Sequence, residues 1–189
     1  QEMLAAVGVS ASLMPKVLES GAVAGTITKQ AAEASGLPVG TPVVAGGGDQ
    51  PVAALGNGVI EPGVLLVTVG TGGQLFVTIG SPRVDKQARV HTFCHCVPGK
   101  WHLLGATLCA GLSLRWLRGV LREVAPDIDY QRSEASAARA PAGSEGVIFC
   151  PYLLGERTPH LDPQARGAFV GLALRHGLAH LARAIMEGV

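Results

Sequence analysis

Aromatic residues and net charge are both scarce in this sequence of 189 residues. Phenylalanine, tyrosine and tryptophan together make up 4% of it, and the formal net charge at pH 7 is +1. A platform that stacks nucleotide bases needs exposed aromatic rings, and binding to nucleic acid or to an anionic membrane needs a basic surface. Neither nucleic acid nor a membrane is therefore predicted as a partner.

Charged side chains are almost missing between positions 34 and 82. Only Asp49 and Glu61 carry charge there, and the run from Pro62 to Pro82 carries none. A run of that length raises the question of a membrane-spanning helix. It contains five glycines and two prolines, with the sequence GTGG near its middle. This composition predicts two strands joined by a turn instead of a spanning helix.

The ends of the chain and its cysteines bear on where the protein works. The start, QEMLAAVGVS, lacks the basic segment of a signal peptide, so a cytoplasmic protein is expected. Since the chain has no initiator methionine and stops within a helical pattern, we expect a fragment.

Strand alternation in HTFCHC places His95 on the face opposite to Cys94 and Cys96, which disfavours a metal site. We expect two or more buried, reduced thiols.

Strand-like and helical patterns alternate along the chain, which predicts the α/β class. The stretch LPVGTPVVAGGG predicts a buried strand, and Asp49 follows it at the N-cap of a helix that runs to about Asn57. After the turn EPG, a plausible domain boundary, VLLVTV and QLFVTI predict two strands around a glycine loop. The stretch RVHTFCHCVPGKWHLLGATL predicts a second hairpin that turns at PGK.

Two amphipathic helices are predicted in the second half of the chain. The first runs from Gly111 to about Val124. Its apolar stripe consists of Leu112, Trp116, Val120, Leu121 and Val124. The second is GLAHLARAIMEGV, and the residues expected to face inward are Leu178, Leu181, Ala182 and Ile185. Between the two helices, AARAPAGSEG predicts a loop, and GVIFCPYLL and AFVGL predict strands.

Asp49 is the first candidate for chemistry. The glycines that end at Gly48 allow another molecule to approach the backbone, and α/β proteins bind ligands where strands lead into helix N-termini. A carboxylate there could accept a proton from a substrate hydroxyl. An aspartate is also a favoured N-cap that needs no other role. From the residues alone, a site and a cap are evenly matched.

Three further stretches are weaker candidates. Backbone N–H groups of the GTGG loop could hold phosphate oxygens, although an ordinary glycine hairpin is favoured for this loop alone. It is neither a P-loop nor a dinucleotide fingerprint. Gly111 would let a ligand approach the backbone of the helix that it begins. For this helix alone, a purely structural role in packing is favoured. In GERTPHLDP we expect a salt-bridged loop stiffened by proline, with a catalytic role as the alternative. Its polar residues are Glu156, Arg157, His160 and Asp162.

Taken in order, these stretches resemble the FGGY family of carbohydrate kinases. VVAGGGDQ is similar to the segment that holds the catalytic aspartate of that family, and YLLGERTPHLDPQARGAFVGL with HLARAIMEGV is similar to its second signature. The resemblance implies an α/β, actin-like (ribonuclease H-like) sugar kinase fold with two lobes, only partly covered by this chain. Residues 1–60 would end the N-terminal, sugar-binding lobe. Residues 61–189 would begin the C-terminal, nucleotide-binding lobe.

The resemblance also implies a reaction. VHTFCHCVPGKWHLL is similar to a stretch found in one branch of the family. The enzymes of that branch phosphorylate D-xylulose to D-xylulose 5-phosphate with ATP and Mg²⁺. Asp49 would be the catalytic base, and Gly48 and Gln50 would bind the sugar. The residues that would bind the nucleotide are Gly70, Thr71, Gly72, Gly111 and Arg115. Arg115 stands where the glycerol kinase branch has glutamine, so its role is open. No residue of this chain is implied as a metal ligand.

Two alternatives stay open beside that reaction. One is another FGGY kinase, for glycerol, gluconate or ribulose. The other is a truncated domain without catalysis, which the missing DxGT motif favours, since that motif would hold Mg²⁺ and phosphate. We expect the 189-residue chain alone to be inactive. The sequence does not determine the oligomeric state, and a homodimer is one assembly that it allows.

Overall fold

The computed structural model describes residues 2–189, which form six α-helices and eight strands. The helices are α1 (Glu2–Ala6), α2 (Lys29–Ser35), α3 (Asp49–Gly56), α4 (Gly111–Arg122), α5 (Tyr130–Ala137) and α6 (Leu178–Gly188). The strands are β1 (Val23–Thr26), β2 (Pro42–Val44), β3 (Leu65–Val69), β4 (Gly73–Ile79), β5 (His91–Cys94), β6 (Trp101–Thr107), β7 (Ile148–Cys150) and β8 (Ala168–Val170). None of the helices in this range combines the length and the apolar content that a membrane crossing needs.

The chain divides into two compact units. The first contains the residues up to Ile60 together with His95–Lys100, the tip of the second hairpin. The second contains Glu61–Cys94 and Trp101–Val189. The first unit therefore carries α1 to α3 with β1 and β2, and the second carries all the other helices and strands.

In the first unit, β1 and β2 form an antiparallel ribbon in which Val23 pairs with Val44 and Thr26 pairs with Pro42. The expectation that β2 is a buried strand is wrong, because Val43 is 42% exposed and Val44 is 53% exposed. A ribbon of two strands is too narrow to bury its own side chains. The helix that follows, α3, ends at Gly56 with Asn57 as its C-cap, as predicted.

The second unit is built on a four-stranded antiparallel sheet in the order β3-β4-β6-β5. Both predicted hairpins are confirmed, since β3 pairs with β4 and β5 pairs with β6. On one face of this sheet the ring of Phe76 stacks on the ring of His102, with their centroids 4.3 Å apart. All four cysteines are free, and Cys96 and Cys109 are buried, as expected.

The hydrophobic core of the second unit lies where α4, α5 and α6 meet β7. Its buried members are Leu117, Ala137, Val147, Phe149, Ala182, Ala184 and Ile185. The inward position of Ala182 and Ile185 on α6 is confirmed, whereas Leu178 is 37% exposed. Helix α5 is an addition to the predicted elements. Its local signal is Asp129, whose side chain caps the helix by accepting the N–H of Arg132 at 2.8 Å.

The predicted inner face of α4 is confirmed at Leu121, which packs against the core, and is wrong at Val120 and Val124, which are exposed. Ser113 and Leu117 are buried, whereas Trp116 is 40% exposed and Val120 is 45% exposed. The helix presents Leu114, Leu117 and Leu121 to the core, at the i, i+3 and i+7 spacing of one helical face. Two neighbouring apolar faces are present on this helix, and only its packing partners decide which one is buried.

Candidate active site

Three glycines connect β2 to α3, and the local structure explains two of them. Gly46 has φ +76°, a left-handed conformation that favours glycine. A Cβ on Gly47 would lie 3.3 Å from Ser20 Oγ, so this position is tightly packed. At Gly48 the nearest atoms to a Cβ belong to the ring of Pro51, at an ordinary 3.6 Å. Neither backbone strain nor crowding therefore requires glycine at position 48, beside the aspartate.

Asp49 is the first residue of α3, and Gly48 is the N-cap, with an extended backbone at φ −62° and ψ 157°. The N-cap position predicted for Asp49 is therefore wrong by one residue. The carboxylate is exposed, and its Oδ1 accepts the N–H of Gln50 at 2.8 Å. Its Oδ2 accepts no hydrogen bond from residues 2–189. One carboxylate oxygen is thus oriented by the helix, while the other is available to a hydroxyl.

Gln50 presents a second acceptor beside this carboxylate. Its amide oxygen Oε1 is buried and has no hydrogen-bond partner among the described residues. Buried polar atoms in native proteins are nearly always paired with protein or water, so an unpaired one indicates a place for another donor. Sugar hydroxyls are donors of this kind. Of the two acceptors, only the Asp49 carboxylate is exposed in this structure, and Gln50 Oε1 meets a sugar hydroxyl only after its side chain turns outward.

The GTGG loop joins β3 to β4. A Cβ on Gly72 would lie 2.6 Å from the carbonyl oxygen of Thr107, and a Cβ on Gly73 would lie 2.7 Å from Thr107 Cγ2. Close packing against Thr107 is therefore enough to explain these two glycines, as in an ordinary glycine hairpin that binds no ligand. The backbone N–H groups of Thr71 and Gly72 and the Thr71 hydroxyl nevertheless have no partner within residues 2–189. The loop presents three unused donors.

The start of α4 is bonded to the same loop. Gly111 N–H donates to the carbonyl of Gly70 at 2.8 Å, and Leu112 N–H donates to the carbonyl of Thr71 at 3.1 Å. These N–H groups are therefore occupied by the protein itself. An anion at this place would take its hydrogen bonds from the loop and not from the helix N-terminus.

A cavity of about 300 Å³ opens where the loop meets α4. Its lining residues are Gly70, Thr71, Gly111, Leu112, Leu114, Arg115 and Tyr130. The structure thus brings together four of the five residues predicted for the nucleotide, and the fifth, Gly72, belongs to the same loop. Tyr130 was missed by sequence reasoning because α5 was not predicted. The guanidinium of Arg118 lies 3.9 Å from the centroid of the Tyr130 ring.

Arg115 is the cation of this cavity. It is exposed, and it forms no hydrogen bond or ion pair with any described residue. By contrast, Arg118 lies on the Tyr130 ring and Arg122 donates to the carbonyl of Pro126 at 3.3 Å. The unpaired guanidinium and Thr71, whose N–H and hydroxyl are unused, line one cavity, and this combination suits a phosphate group.

The GERTPHLDP loop does not form the expected salt bridges. Among residues 2–189, no ion pair joins its four charged or ionisable side chains. Arg157 Nε donates to His91 Nε2 at 3.1 Å, and Thr158 N–H donates to the carbonyl of Ala106 at 2.9 Å. Glu156 is buried and accepts hydrogen bonds from the end of β6. The loop is therefore held to the sheet by neutral and charge-assisted hydrogen bonds.

The match to known protein families settles which family this is. Residues 1–56 match the N-terminal domain, and residues 65–189 match the C-terminal domain, of the FGGY family of carbohydrate kinases. This chain belongs to that family. The α/β sugar kinase fold that the sequence predicts is confirmed with it.

Several sugar kinases are similar to this chain in sequence and in structure. Xylulose kinase of Escherichia coli (strain K12) is 39% identical over 189 residues, which cover 99% of this chain and 38% of that protein. The crystal structure of ligand-bound xylulose kinase from Lactobacillus acidophilus has a TM-score of 0.88 at 30% identity. That of gluconate kinase from the same organism has a TM-score of 0.87, also at 30% identity. The match covers 100% and 99% of this chain, and 38% and 37% of those chains, respectively.

Two conclusions follow from these relatives. The chain spans a little over a third of the length of the proteins that it matches. A fold shared almost equally by a xylulose kinase and a gluconate kinase does not distinguish their sugars. Family membership is therefore shown, while the sugar must be argued from other observations.

Proposed function

We propose that this protein transfers the γ-phosphoryl group of ATP to D-xylulose, giving D-xylulose 5-phosphate and ADP. The observation that carries the proposal is the cavity beside the GTGG loop, where unused donors and an unpaired arginine meet. In a member of the FGGY family, such a cavity suits the phosphates of the nucleotide. We assign residues 1–60 to the sugar-binding lobe and residues 61–189 to the nucleotide-binding lobe.

Asp49 is the proposed catalytic base. Its Oδ2 accepts the proton of the attacking sugar hydroxyl, while Oδ1 stays bonded to the N–H of Gln50. Gln50 Oε1 accepts a hydrogen bond from a neighbouring sugar hydroxyl, and Gly48 leaves room for the sugar beside the carboxylate. An aspartate is a weak base, but phosphoryl transfer has a loose transition state in which positioning and charge stabilisation supply most of the rate.

The GTGG loop is the proposed phosphate site, and its residues fit that group. The N–H groups of Thr71 and Gly72 and the Thr71 hydroxyl donate to phosphate oxygens, and Arg115 supplies a positive charge. ATP supplies the phosphoryl group, and Mg²⁺ accompanies it in transfers of this kind. No group of three His, Cys, Asp or Glu residues within 2–189 is placed to hold a metal ion.

A gluconate kinase is the second candidate, because the Lactobacillus acidophilus gluconate kinase resembles this chain almost as closely as the xylulose kinase does. The xylulose kinase of Escherichia coli, at 39% identity compared with 30% for that gluconate kinase, favours the ketopentose. A panel of D-xylulose, D-ribulose, D-gluconate and glycerol, tested with the complete gene product and ATP, separates the two. We expect the highest kcat/KM with D-xylulose. A higher value with D-gluconate would overturn the ketopentose assignment.

The phosphate site has its own test, in which Arg115→Ala is compared with Arg122→Ala. Both arginines lie on α4, two helical turns apart and so on one side of the helix, but only Arg115 lines the cavity. We expect Arg115→Ala to raise the KM for ATP about tenfold or more, since a charge-assisted hydrogen bond contributes about 1.5–3 kcal/mol. The KM for the sugar should stay unchanged in both variants. Equal effects of the two substitutions on ATP would remove Arg115 from the nucleotide site.

A further inference from the structure

Glu156 is a buried carboxylate that the reaction described above does not use. It is 5% exposed, and all of its side-chain partners are donors. Oε2 accepts the hydroxyl of Thr107 at 3.1 Å, and Oε1 accepts the N–H of Leu108 at 3.2 Å and the N–H of Arg157 at 2.6 Å. Both carboxylate oxygens are therefore occupied by donors of the protein itself.

The partners of Glu156 lie at the end of β6, directly against the GTGG loop. The carbonyl oxygens of Thr107 and Leu108 lie 2.6 Å and 3.4 Å from where a Cβ on Gly72 would be. The methyl carbon of Thr107 lies 2.7 Å from where a Cβ on Gly73 would be. Since the Thr107 side chain meets Glu156 through its hydroxyl and Gly73 through its methyl group, the carboxylate fixes the surface on which the loop rests.

The same segment also reaches the loop through the chain itself. Three residues beyond Leu108, α4 begins at Gly111, and Gly111 N–H and Ala110 N–H donate to the carbonyls of Gly70 and Thr71. The loop is thus clamped between the end of β6 and the start of α4. Glu156 holds Thr107 and Leu108, the residues at which the chain leaves β6 towards α4.

We propose that Glu156 is a positioning residue for nucleotide binding, which holds the end of β6 so that the Thr71 and Gly72 donors face the phosphates. This role rests on the function proposed above for the GTGG loop. Glu156 does not touch the nucleotide, and it acts through Thr107 and Leu108. Sequence separation hides the relationship, because Glu156 follows Thr107 by 49 positions along the chain.

A pair of substitutions at position 156 distinguishes positioning from charge. Glu156→Ala leaves the Thr107 hydroxyl and the Leu108 N–H without their acceptor at a buried place, so the segment must shift to pair them. Glu156→Gln keeps an oxygen for the two N–H groups, and its amide NH₂ donates to the Thr107 hydroxyl oxygen. Glu134→Ala, at an exposed glutamate on α5, is the matched control.

The complete gene product is examined by three measurements for each variant. These are steady-state kinetics with ATP and D-xylulose, calorimetric titration with ADP, and amide hydrogen exchange of peptides covering 105–112. For Glu156→Ala we expect weaker ADP binding, a KM for ATP raised about tenfold or more and a kcat lowered by up to about 100-fold, the cost of a misplaced reacting group. Exchange at 105–112 should accelerate, while the KM for D-xylulose stays unchanged. Glu156→Gln and Glu134→Ala should behave like the unchanged protein.

Each other result decides against the proposal. Unchanged ADP binding and unchanged exchange in a folded Glu156→Ala variant would overturn the positioning role. If Glu156→Gln lost activity as Glu156→Ala does while its exchange stayed slow, the charge itself would matter and positioning would be wrong. Parallel losses for ATP and sugar with a lower Tm would indicate a structural role only. If the unchanged protein neither bound ADP nor released it with any sugar, the proposed function would fail first, and the positioning role with it.

Discussion

The backbone N–H of Gly111 donates a hydrogen bond to the carbonyl oxygen of Gly70 at 2.8 Å, and a Cβ on Gly111 would lie 2.7 Å from that same oxygen. Real Cβ atoms do not approach a carbonyl so closely, so this hydrogen bond depends on the missing side chain at position 111. The start of α4 and the GTGG loop are joined by a contact that only glycine allows.

Replacing Gly111 with alanine should therefore displace the loop. We expect the KM for ATP to rise about tenfold, the equivalent of 1.4 kcal/mol, with no change in the KM for the sugar. Gly119→Ala is the control on the same helix, because a Cβ there meets nothing within 4 Å. That control should stabilise the protein by about 1 kcal/mol in a denaturant titration, since alanine is the better helix former. If Gly111→Ala leaves ATP kinetics untouched, the loop is not part of the nucleotide site.

Replacing Asp49 with asparagine should abolish turnover and keep the fold. Asparagine retains an oxygen for the N–H of Gln50 but removes the proton acceptor, so kcat should fall by about 100-fold or more. Glu33→Gln, on α2 of the same unit, is the charge-matched control and should keep full activity. Circular dichroism melts establish that both variants are folded. A folded Asp49→Asn variant with unchanged kcat would leave this carboxylate only its role at the start of α3.

The acid titration of Asp85 tests a surface ion pair. Hydrogen bonds from Arg89, whose Nε lies 2.9 Å from Oδ2, and from the N–H of Gln87 lower the pKa of Asp85 from 3.8 to about 2. Because the folded pKa is depressed, the stabilising contribution is complete above about pH 4 and is lost as the pH falls towards 2. Carboxyl NMR should give a midpoint near 2, and Arg89→Ala should raise it towards 3.8. A midpoint at 3.8 in the unchanged protein would show that the pair does not form in solution.

The 189-residue chain, purified by itself, is expected to give no sugar-dependent ADP release. It carries no DxGT sequence, the motif that the family resemblance implies for Mg²⁺ and phosphate, and it spans 38% of the Escherichia coli xylulose kinase. Without the remaining contacts, reactants are not held in line, and an effective molarity on the order of 10⁵ M is forfeited. A coupled assay with ATP, Mg²⁺ and D-xylulose, with the Escherichia coli enzyme as positive control, measures this. Turnover comparable to that control would show that this chain alone contains the whole active site.

Local patterns in the sequence were sufficient for the elements whose determinants are short-range. Strand-like apolar stretches on either side of GTGG and PGK predicted both hairpins, and the asparagine and glycine after α3 predicted where that helix ends. Asp49, Thr71 and Gly111 stood out because glycine and lone polar residues are unusual in apolar surroundings. Several such motifs in order also sufficed for the family, since each motif is contiguous in the chain.

Long-range packing decided the rest. The buried face of α4 was predicted correctly only at Leu121, because the helix carries two apolar faces. The segments α6 and β7, far away in sequence, select the face that contains Leu117. Tyr130 joined the cavity only because α5 folds beside α4. Glu156 looked like part of a charged loop, yet burial paired it with Thr107 and Leu108 in place of a cation. Periodicity along the chain records which residues are apolar, but the partner of a buried group depends on which distant segments meet, and only the tertiary structure determines that.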